Sequence, residues 1–360
     1  MLTSGAFGYL LDYVLWWLIF ASLVVHTWCF FKFFPWQRRR KSGLVIGNAL
    51  VLLCMLGIVA LAFESYFRFV CVETDAFGVS LPARRWFVLH TKLNSLGCRD
   101  VEWTVEKPPG VRRIAFVGDS ITYGWGIKRV EDRFTDRIGA MFDHSLPGSH
   151  EVMNVAKPGW GTKAQLTPIQ DLIRRFGVDD VILCYVPNDI DTLLPTTDEF
   201  DPAHPPEPFL FDPDRSCLLD YVYRTLYLPR VSTVRGYHTW LAEGYADKTI
   251  WRHQREQLDD IIRQCRDNGV RLRVVLLPFI QTAGKEYDAE RLHATLGEFF
   301  ETRHVQVLDL LAAIAGRDPD ELVINRRDAH PNERAHRLFA DAIWEGFFAD
   351  SASPGHESLN

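Results

Sequence analysis

Apolar positions along this chain follow two patterns that change over near residue 65. Before it lie two long apolar blocks. The first runs from about 9 to 34 and is densest from Tyr13 to Phe31. The second runs from Leu44 to Phe63 without a charged residue. A helix crossing the hydrocarbon of a bilayer needs about 20 such residues, so both blocks predict transmembrane helices. The uninterrupted length of the second separates it from a buried core helix. The first is long, follows no basic residue and is closed by no small-x-small site, so it reads as an anchor and not as a secretory signal.

Beyond residue 110 the apolar runs are short and alternate with amphipathic stretches. Strands are predicted at Arg113–Gly118, Glu151–Ala156, Val181–Val186, Leu272–Pro278 and Val305–Leu308. Helices are predicted at Asp132–Phe142, Lys163–Phe176, Lys248–Asn268, Ala289–Thr302 and Asn332–Phe348. Short apolar strands separated by helices predict a parallel sheet covered on both faces, a three-layer α/β domain. The expected organisation is a transmembrane hairpin over 1–65 and a juxtamembrane connector over 66–110. A catalytic-type domain comes next over 111–350 with an insert at about 191–245, and then a flexible tail over 351–360. The connector ends in Lys107-Pro108-Pro109-Gly110, a boundary signal, and is expected to hold a small β element. Within the insert, 195–213 is rich in Pro and acidic residues. A long irregular excursion after a strand is either a lid or a solvated spacer.

Charge sets the topology. Gln37-Arg38-Arg39-Arg40-Lys41 lies between the two apolar blocks, and short loops rich in Lys and Arg stay in the cytoplasm. Both outer ends of the hairpin, and everything after about Glu64, are then expected on the extracytoplasmic side. The net charge of −6 gives no support for a nucleic-acid partner. Seven cysteines without a CxxC spacing support neither a zinc site nor a redox motif. An oxidising compartment would permit a Cys71–Cys98 or a Cys217–Cys265 bridge, and Cys184 reads as a small core residue. No metal or organic cofactor is expected.

Candidate chemistry begins where the first strand ends, at Gly118-Asp119-Ser120. About one chain in ten of this length contains that tripeptide by chance, so its weight rests on the groups available downstream. A serine nucleophile needs a base, and the base needs an orienting group. Asp328-Ala329-His330-Pro331-Asn332 supplies a carboxylate two residues before a histidine, on a predicted loop that Pro331 and the capping Asn332 help to fix. Acyl transfer also needs donors for a developing oxyanion. Gly159 in Pro158-Gly159 and Asn188 in Val186-Pro187-Asn188-Asp189 each come after a predicted strand. In a parallel sheet these turns share one edge.

In order and spacing, these blocks resemble those of the SGNH hydrolases, also called GDSL-type esterases and lipases, over roughly residues 110–348. The resemblance implies a flavodoxin-like α/β/α sandwich. It implies Ser120 as nucleophile, His330 as general base and Asp328 as the acid that orients it. The oxyanion hole would use the Ser120 and Gly159 N–H groups and the Asn188 amide, with Gly161 competing for the role of Gly159. Two departures stand out. Val186 occupies a position usually held by Gly, which would narrow the approach to Asn188, and the acid stands two residues before the His instead of the commoner three. Leu93–Asp100 also looks like a stretch that precedes the first block in membrane-attached members, and reads as a structural turn. Tyr123, Trp125 and Trp160 are candidates for an aromatic wall. The reading is a membrane-anchored serine esterase working through an acyl-enzyme on an ester or acylated glycan, with the bilayer and a membrane-protein complex as partners. The alternatives are an O-acyltransferase or deacetylase acting on cell-surface polysaccharide, and a non-catalytic interaction module.

Overall fold

The computed structural model describes residues 5–35, 40–196, 215–231, 236–282 and 289–349. The chain divides into two compact units, Met1–Leu89 with Ala203–Val234, and His90–Pro202 with Arg235–Asn360.

The first unit is built on two helices, α1 (Gly5–Phe33) and α2 (Lys41–Ser65). They run antiparallel. Tyr13 Oη lies 2.8 Å from Ser65 Oγ near one end, and Thr27 Oγ1 lies 3.4 Å from Cys54 Sγ further along. Gly57 lets the helices close up, since a Cβ there would stand 2.8 Å from the Phe20 ring. Little else covers them. In the most apolar stretch of each helix, 0% of residues are buried in α1 and 11% in α2. A helix at the core of a soluble domain buries its apolar face. These instead expose Leu15, Leu18, Leu52 and Leu56. Length and hydropathy fit the predicted hairpin. The central residues of its basic loop, 36–39, lie outside the described residues.

The connector departs from the sequence reading. It has no strand over 66–110; the backbone continues from α2 as a π turn (Tyr66–Val70) and then forms a helix at Leu81–His90. Pro82 falls in the first turn, where a missing N–H removes no helix bond. Ala83 and Trp86, one turn apart, share the buried face. The Leu218–Trp240 stretch is helical in pieces, with a helix at Cys217–Val222, a π turn to Tyr227 and a helix at Tyr237–Ala246. Residues 215–231 belong to the hairpin unit, and Glu64 holds them there. Its carboxylate accepts from Arg68 Nε at 2.8 Å, Ser216 Oγ at 2.9 Å, and the N–H groups of Cys217 and Leu218 at 3.1 and 2.8 Å. A buried carboxylate is tolerated only when satisfied in this way. The Pro-rich segment read as a lid or spacer falls almost wholly in 197–214, outside the described residues, as does the tail. All seven cysteines are free thiols, so neither permitted bridge forms.

The second unit is a five-stranded sheet in the order β2-β1-β3-β4-β5, all pairs parallel. The strands are β1 (Arg112–Gly118), β2 (His150–Ala156), β3 (Asp180–Tyr185), β4 (Arg271–Leu276) and β5 (Gln306–Asp309). This is the flavodoxin-like order, with its crossover point between β1 and β3. Helices Thr162–Phe176, Lys248–Asp267 and Ala289–Glu301 supply apolar residues to one core cluster, and Phe134–Ser145 and Glu333–Phe347 to the other. The central strand β3 is buried along its whole length, as expected where helices cover both faces. The family expectation of a three-layer α/β/α sandwich is met. One local difference matters: the His330 segment is not a loop. Asp328–Pro331 forms strand β7, paired antiparallel with β6 (Val323–Asn325).

Asn332 fastens that ribbon to the last helix. Its Oδ1 accepts from the N–H groups of Arg334 and Ala335 at 3.0 and 3.2 Å. Its Nδ2 donates to the carbonyls of Glu321 and Val323 at 2.9 and 3.1 Å. Asn332→Ala is expected to cost about 0.5–2 kcal/mol, the range for a lost helix cap. Asn332→Asp, which keeps the cap but not the donors, should lie between. Urea melts of the three proteins check this; equal midpoints would show that the cap contributes nothing.

Candidate active site

Three turns, each after one of three neighbouring strands, meet the β6–β7 ribbon at the carboxyl edge of the sheet. β1 ends at Gly118 because the chain must pass close to its neighbour there. A Cβ on Gly118 would stand 2.3 Å from Thr122 Oγ1 and 3.0 Å from the Cys184 carbonyl oxygen. Asp119 then caps a single helical turn, Ser120–Tyr123, accepting from the Ile121 N–H at 3.0 Å. Gly124 ends that turn with φ 77, left-handed backbone that favours glycine. The Trp125 N–H returns to the Ser120 carbonyl at 3.0 Å.

The expected side chains come together here. Ser120 Oγ lies 2.9 Å from His330 Nε2, and His330 Nδ1 lies 2.6 Å from Asp328 Oδ1. The same Asp328 oxygen accepts the His330 backbone N–H at 3.1 Å, locking the ring to its own strand. Asp328 is fully buried, whereas the His330 side chain is 18% exposed. A carboxylate facing Nδ1 selects the tautomer with its proton there, which leaves the Nε2 lone pair toward the serine. Such a line can move a proton from a hydroxyl to an imidazole and on to a leaving group. The Trp125 indole stacks on the far side of the imidazole, with centroids 5.2 Å apart and planes at 23°.

The two oxyanion candidates stand on the neighbouring turns. Gly159 comes after β2 with φ 76 and open space where a Cβ would be. Gly161 is glycine for another reason: a Cβ there would stand 2.8 Å from the Asp189 carbonyl oxygen. That close packing sets Gly161 apart from the exposed turn of Gly159. Asn188 lies in a 3₁₀ turn, Pro187–Leu193, after β3, and its side chain is hydrogen-bonded to Asp119. Val186 does not crowd it. Its backbone is extended, at φ −112 and ψ 142, and its side chain is buried in the core beneath. The position thus requires no glycine conformation.

Several supports are not legible as such in the sequence. Arg99, from the segment read as a structural turn, is fully buried and donates to the carbonyls of Gly124 and Ile127, both at 2.7 Å. It holds the backbone of the loop that carries Trp125. Burial, with Arg133 close by, pulls the Arg99 guanidinium down to about 10. Asn154 Nδ2 donates to the Thr122 carbonyl at 2.6 Å, tying β2 to the serine turn. The Asn188 turn is held by buried hydroxyls: Tyr245 Oη donates to the Pro187 carbonyl at 2.9 Å and lies 2.5 Å from Tyr185 Oη. Gln254 Nε2 in turn donates to Tyr185 Oη at 2.9 Å. The nearest signals in the sequence are Arg99, inside the Leu93–Asp100 stretch, and Asn332, in the block of His330. Nothing local marks Tyr245 or Gln254, which reach the site only through the fold.

Two carboxylates near the serine turn, Asp119 and Asp189, are fully buried, and the charge of Asp119 is felt at Asp189. Burial is the main reason that both sit above the ordinary carboxylate range. Asp189 is raised well above it, with the Asp119 charge adding to the effect. Asp189 accepts from Gln165 Nε2 at 3.2 Å through one oxygen, while its other oxygen is buried and has no partner among the described residues.

A sequence model of the GDSL-like lipase/acylhydrolase family matches residues 116–338, well over half of the chain. The chain belongs to the GDSL-like lipase/acylhydrolase family. It is an ester-hydrolysing enzyme of that family, and the match takes in the Gly118-Asp119-Ser120 turn and the His330 ribbon. Similar solved structures are distant. A lipolytic protein of the G-D-S-L family from Veillonella parvula is 16% identical, with a TM-score of 0.40 over 66% of this chain and 98% of that one. The esterase EstA from a Pseudoalteromonas species is 12% identical, with a TM-score of 0.42 over 67% and 100%. The acetylxylan esterase Axe2 from Geobacillus stearothermophilus, as a catalytic mutant, is 14% identical, with a TM-score of 0.41 over 65% and 93%. No curated protein matches the sequence.

The raised Asp189 sets a pH dependence of stability. A buried acid with an elevated native value binds its proton more tightly when folded, so stability falls as pH rises from the ordinary value of 3.8 towards the native one. Asp189→Asn retains an acceptor for Gln165 and places an NH2 where an oxygen lacks a partner. Its melting temperature should fall less steeply over that window than that of the wild type. Parallel thermal scans across pH would refute this assignment by giving superimposable slopes.

Proposed function

We propose that the enzyme is a serine esterase in which Ser120, His330 and Asp328 carry the reaction through an acyl-enzyme. The observation that supports this most directly is the unbroken line from Ser120 Oγ to His330 Nε2 and from Nδ1 to the buried Asp328. In the first half-reaction Ser120 Oγ attacks the ester carbonyl carbon while His330 Nε2 takes the hydroxyl proton. The resulting oxyanion is met by the N–H groups of Ser120 and Gly159 and by the Asn188 amide, whose orientation Asp119 holds. Collapse breaks the bond to the alcohol oxygen, which leaves with the proton from His330. Water, deprotonated by the same imidazole, then attacks the acyl-serine, releases the acid and restores the hydroxyl.

Trp125 is a positioning residue in this scheme. Its π face lies against a ring that becomes cationic in both transition states, and such contacts contribute about 0.5–2 kcal/mol. Replacement by Leu is expected to lower kcat by up to about 30-fold at constant fold. It should also shift the acid limb of the pH–rate profile downward, because the imidazolium loses stabilisation. An unchanged acid limb would remove Trp125 from the mechanism.

A fluorophosphonate probe should label the wild type, and Ser120→Ala should abolish both labelling and p-nitrophenyl acetate turnover. Asp328→Asn should retain the fold and lose about 10³–10⁴ in kcat, as expected when the imidazole tautomer is wrong. A folded wild type that takes up no probe would refute the catalytic reading. Adding acetylated and free glycans during turnover distinguishes water from a sugar hydroxyl as the acyl acceptor.

The proposal places residues 1–65 as a membrane hairpin and the domain over 111–350 outside the cytoplasm. The basic stretch at 37–41 supports this orientation. Reporters fused at that loop and at the carboxyl terminus should respond from opposite sides of the membrane. A cytoplasmic carboxyl terminus would reverse the assignment.

A further inference from the structure

The β1–β2 ladder ends with Gly118 beside Ala156. Ser120 and Gly159 both lie beyond that last pair. No ladder bond therefore sets the spacing of the two backbone N–H groups that would meet an oxyanion. Their spacing matters, because a misplacement of about 1 Å near reacting atoms costs on the order of 100-fold in rate.

Two adjacent residues, Arg99 and Asp100, grip both turns from outside the sheet. Arg99 is fully buried and donates to the carbonyls of Gly124 and Ile127, both at 2.7 Å. The loop held in this way is bonded back to the serine, since the Gly124 and Trp125 N–H groups both reach the Ser120 carbonyl. Asp100 holds the other side. β2 is an edge strand, and the outer N–H groups of an edge have no neighbouring strand to take them. The Asn154 N–H goes instead to Asp100 Oδ2 at 2.7 Å. Asn154 is where the two grips meet, because its Nδ2 donates to the Thr122 carbonyl of the serine turn at 2.6 Å. Gly97 extends the contact to the Gly159 turn. A Cβ on Gly97 would stand 3.1 Å from Lys157 Nζ, and the Trp160 N–H closes the turn on the Lys157 carbonyl at 3.3 Å.

The gripping segment is itself stiff. Asn94 Oδ1 accepts from the N–H groups of Leu96 and Cys98 at 3.1 and 3.0 Å, and Asn94 Nδ2 donates to the Val101 carbonyl at 3.1 Å. Arg133, also fully buried, donates to the Arg99 carbonyl. A buried charge adds little net stability, but the planar fork of a guanidinium fixes the direction of what it binds.

We propose that Arg99 and Asp100 are positioning residues for the oxyanion hole, together setting the spacing of the Ser120 and Gly159 N–H groups. The proposal rests on the serine-esterase reading above. It gives the Leu93–Asp100 stretch a part in the reaction although no atom of it need touch a substrate.

The test uses the full chain, with active sites counted by fluorophosphonate labelling run to completion, so that rates are read per competent serine. Arg99→Met and Asp100→Ala should each lower kcat per site by about 100-fold with KM unchanged. A trifluoromethyl ketone bonds Ser120 Oγ to its carbonyl carbon and leaves an oxyanion in the hole. Its inhibition constant should rise by the same factor as kcat falls. Arg99→Lys and Asp100→Asn, which keep a donor and an acceptor, should recover most of the loss. Arg113→Met is the matched control. Arg113 is as deeply buried and donates to the Phe176 and Val105 carbonyls at 2.7 and 3.1 Å, near the opposite end of β1. Its variant should melt at a lower temperature while kcat per site and the inhibition constant stay at wild-type values. Unchanged kcat per site in Arg99→Met and Asp100→Ala, an inhibition constant that stays fixed while kcat falls, or an equal loss in Arg113→Met would each overturn the proposal. If Arg99→Met does not fold, Asp100→Ala and the two conservative variants decide by the same comparison. A folded wild type that takes up no probe would instead overturn the serine-esterase reading, and this proposal with it.

Discussion

The 2.9 Å contact between Ser120 Oγ and His330 Nε2 joins residues 210 positions apart in the chain, and it depends on the parallel sheet. In a parallel sheet every strand ends on the same edge, so turns that are remote in sequence become neighbours. β1 delivers Ser120, β2 the Gly159 turn and β3 the Asn188 turn. The His330 ribbon arrives last, braced by Asn332. Burial of β3 on both faces fixes its register, because a slip by one residue would turn its core side chains the wrong way. The chemistry is thus set by packing well beneath it.

The environment around the serine is drier than its partly exposed histidine suggests. Asp119, Asp189 and Asp328 are all buried behind the reacting edge. Asp328 is held by a 2.6 Å contact to His330, and burial displaces Asp119 and Asp189 towards their neutral forms, Asp189 further. Arg99 meets the opposite demand: its positive charge is enclosed by backbone carbonyls of the loop it supports. Preorganised groups of this kind cost reorganisation energy at folding and not at reaction. Supporting residues such as Arg99 and Asn154 are accordingly placed as tightly as Ser120 and His330 themselves.

The site is legible in the sequence to the extent that its residues sit at strand ends. Ser120, Gly159, Asn188 and the Asp328–His330 pair stand beside turn-forming residues, and turn chemistry is local. The helical hairpin is legible for a similar reason, since two long apolar blocks of about 20 residues each are visible locally. The connector is not, because 66–110 mixes aromatic and basic residues without a clear period, and the Ala83–Trp86 face is defined only by the residues that cover it. The His330 segment reads as a loop in isolation because a strand as short as Asp328–Pro331 owes its form to pairing with Val323–Asn325. Val186 in place of glycine suggests a narrowed site, but an extended backbone turns its side chain into the core.

By itself the sequence therefore determined the class of fold, the two long apolar helices and the identity of the candidate groups, all of which derive from local periodicity and turn preference. Only the tertiary structure decided which glycine stands open and which is sterically required, that Trp125 stacks on the His330 ring, and which carboxylates are buried together. It also showed Tyr245 and Gln254 as supports of the Asn188 turn. These are properties of pairs distant along the chain, and whether such a pair meets depends on the packing of everything between them.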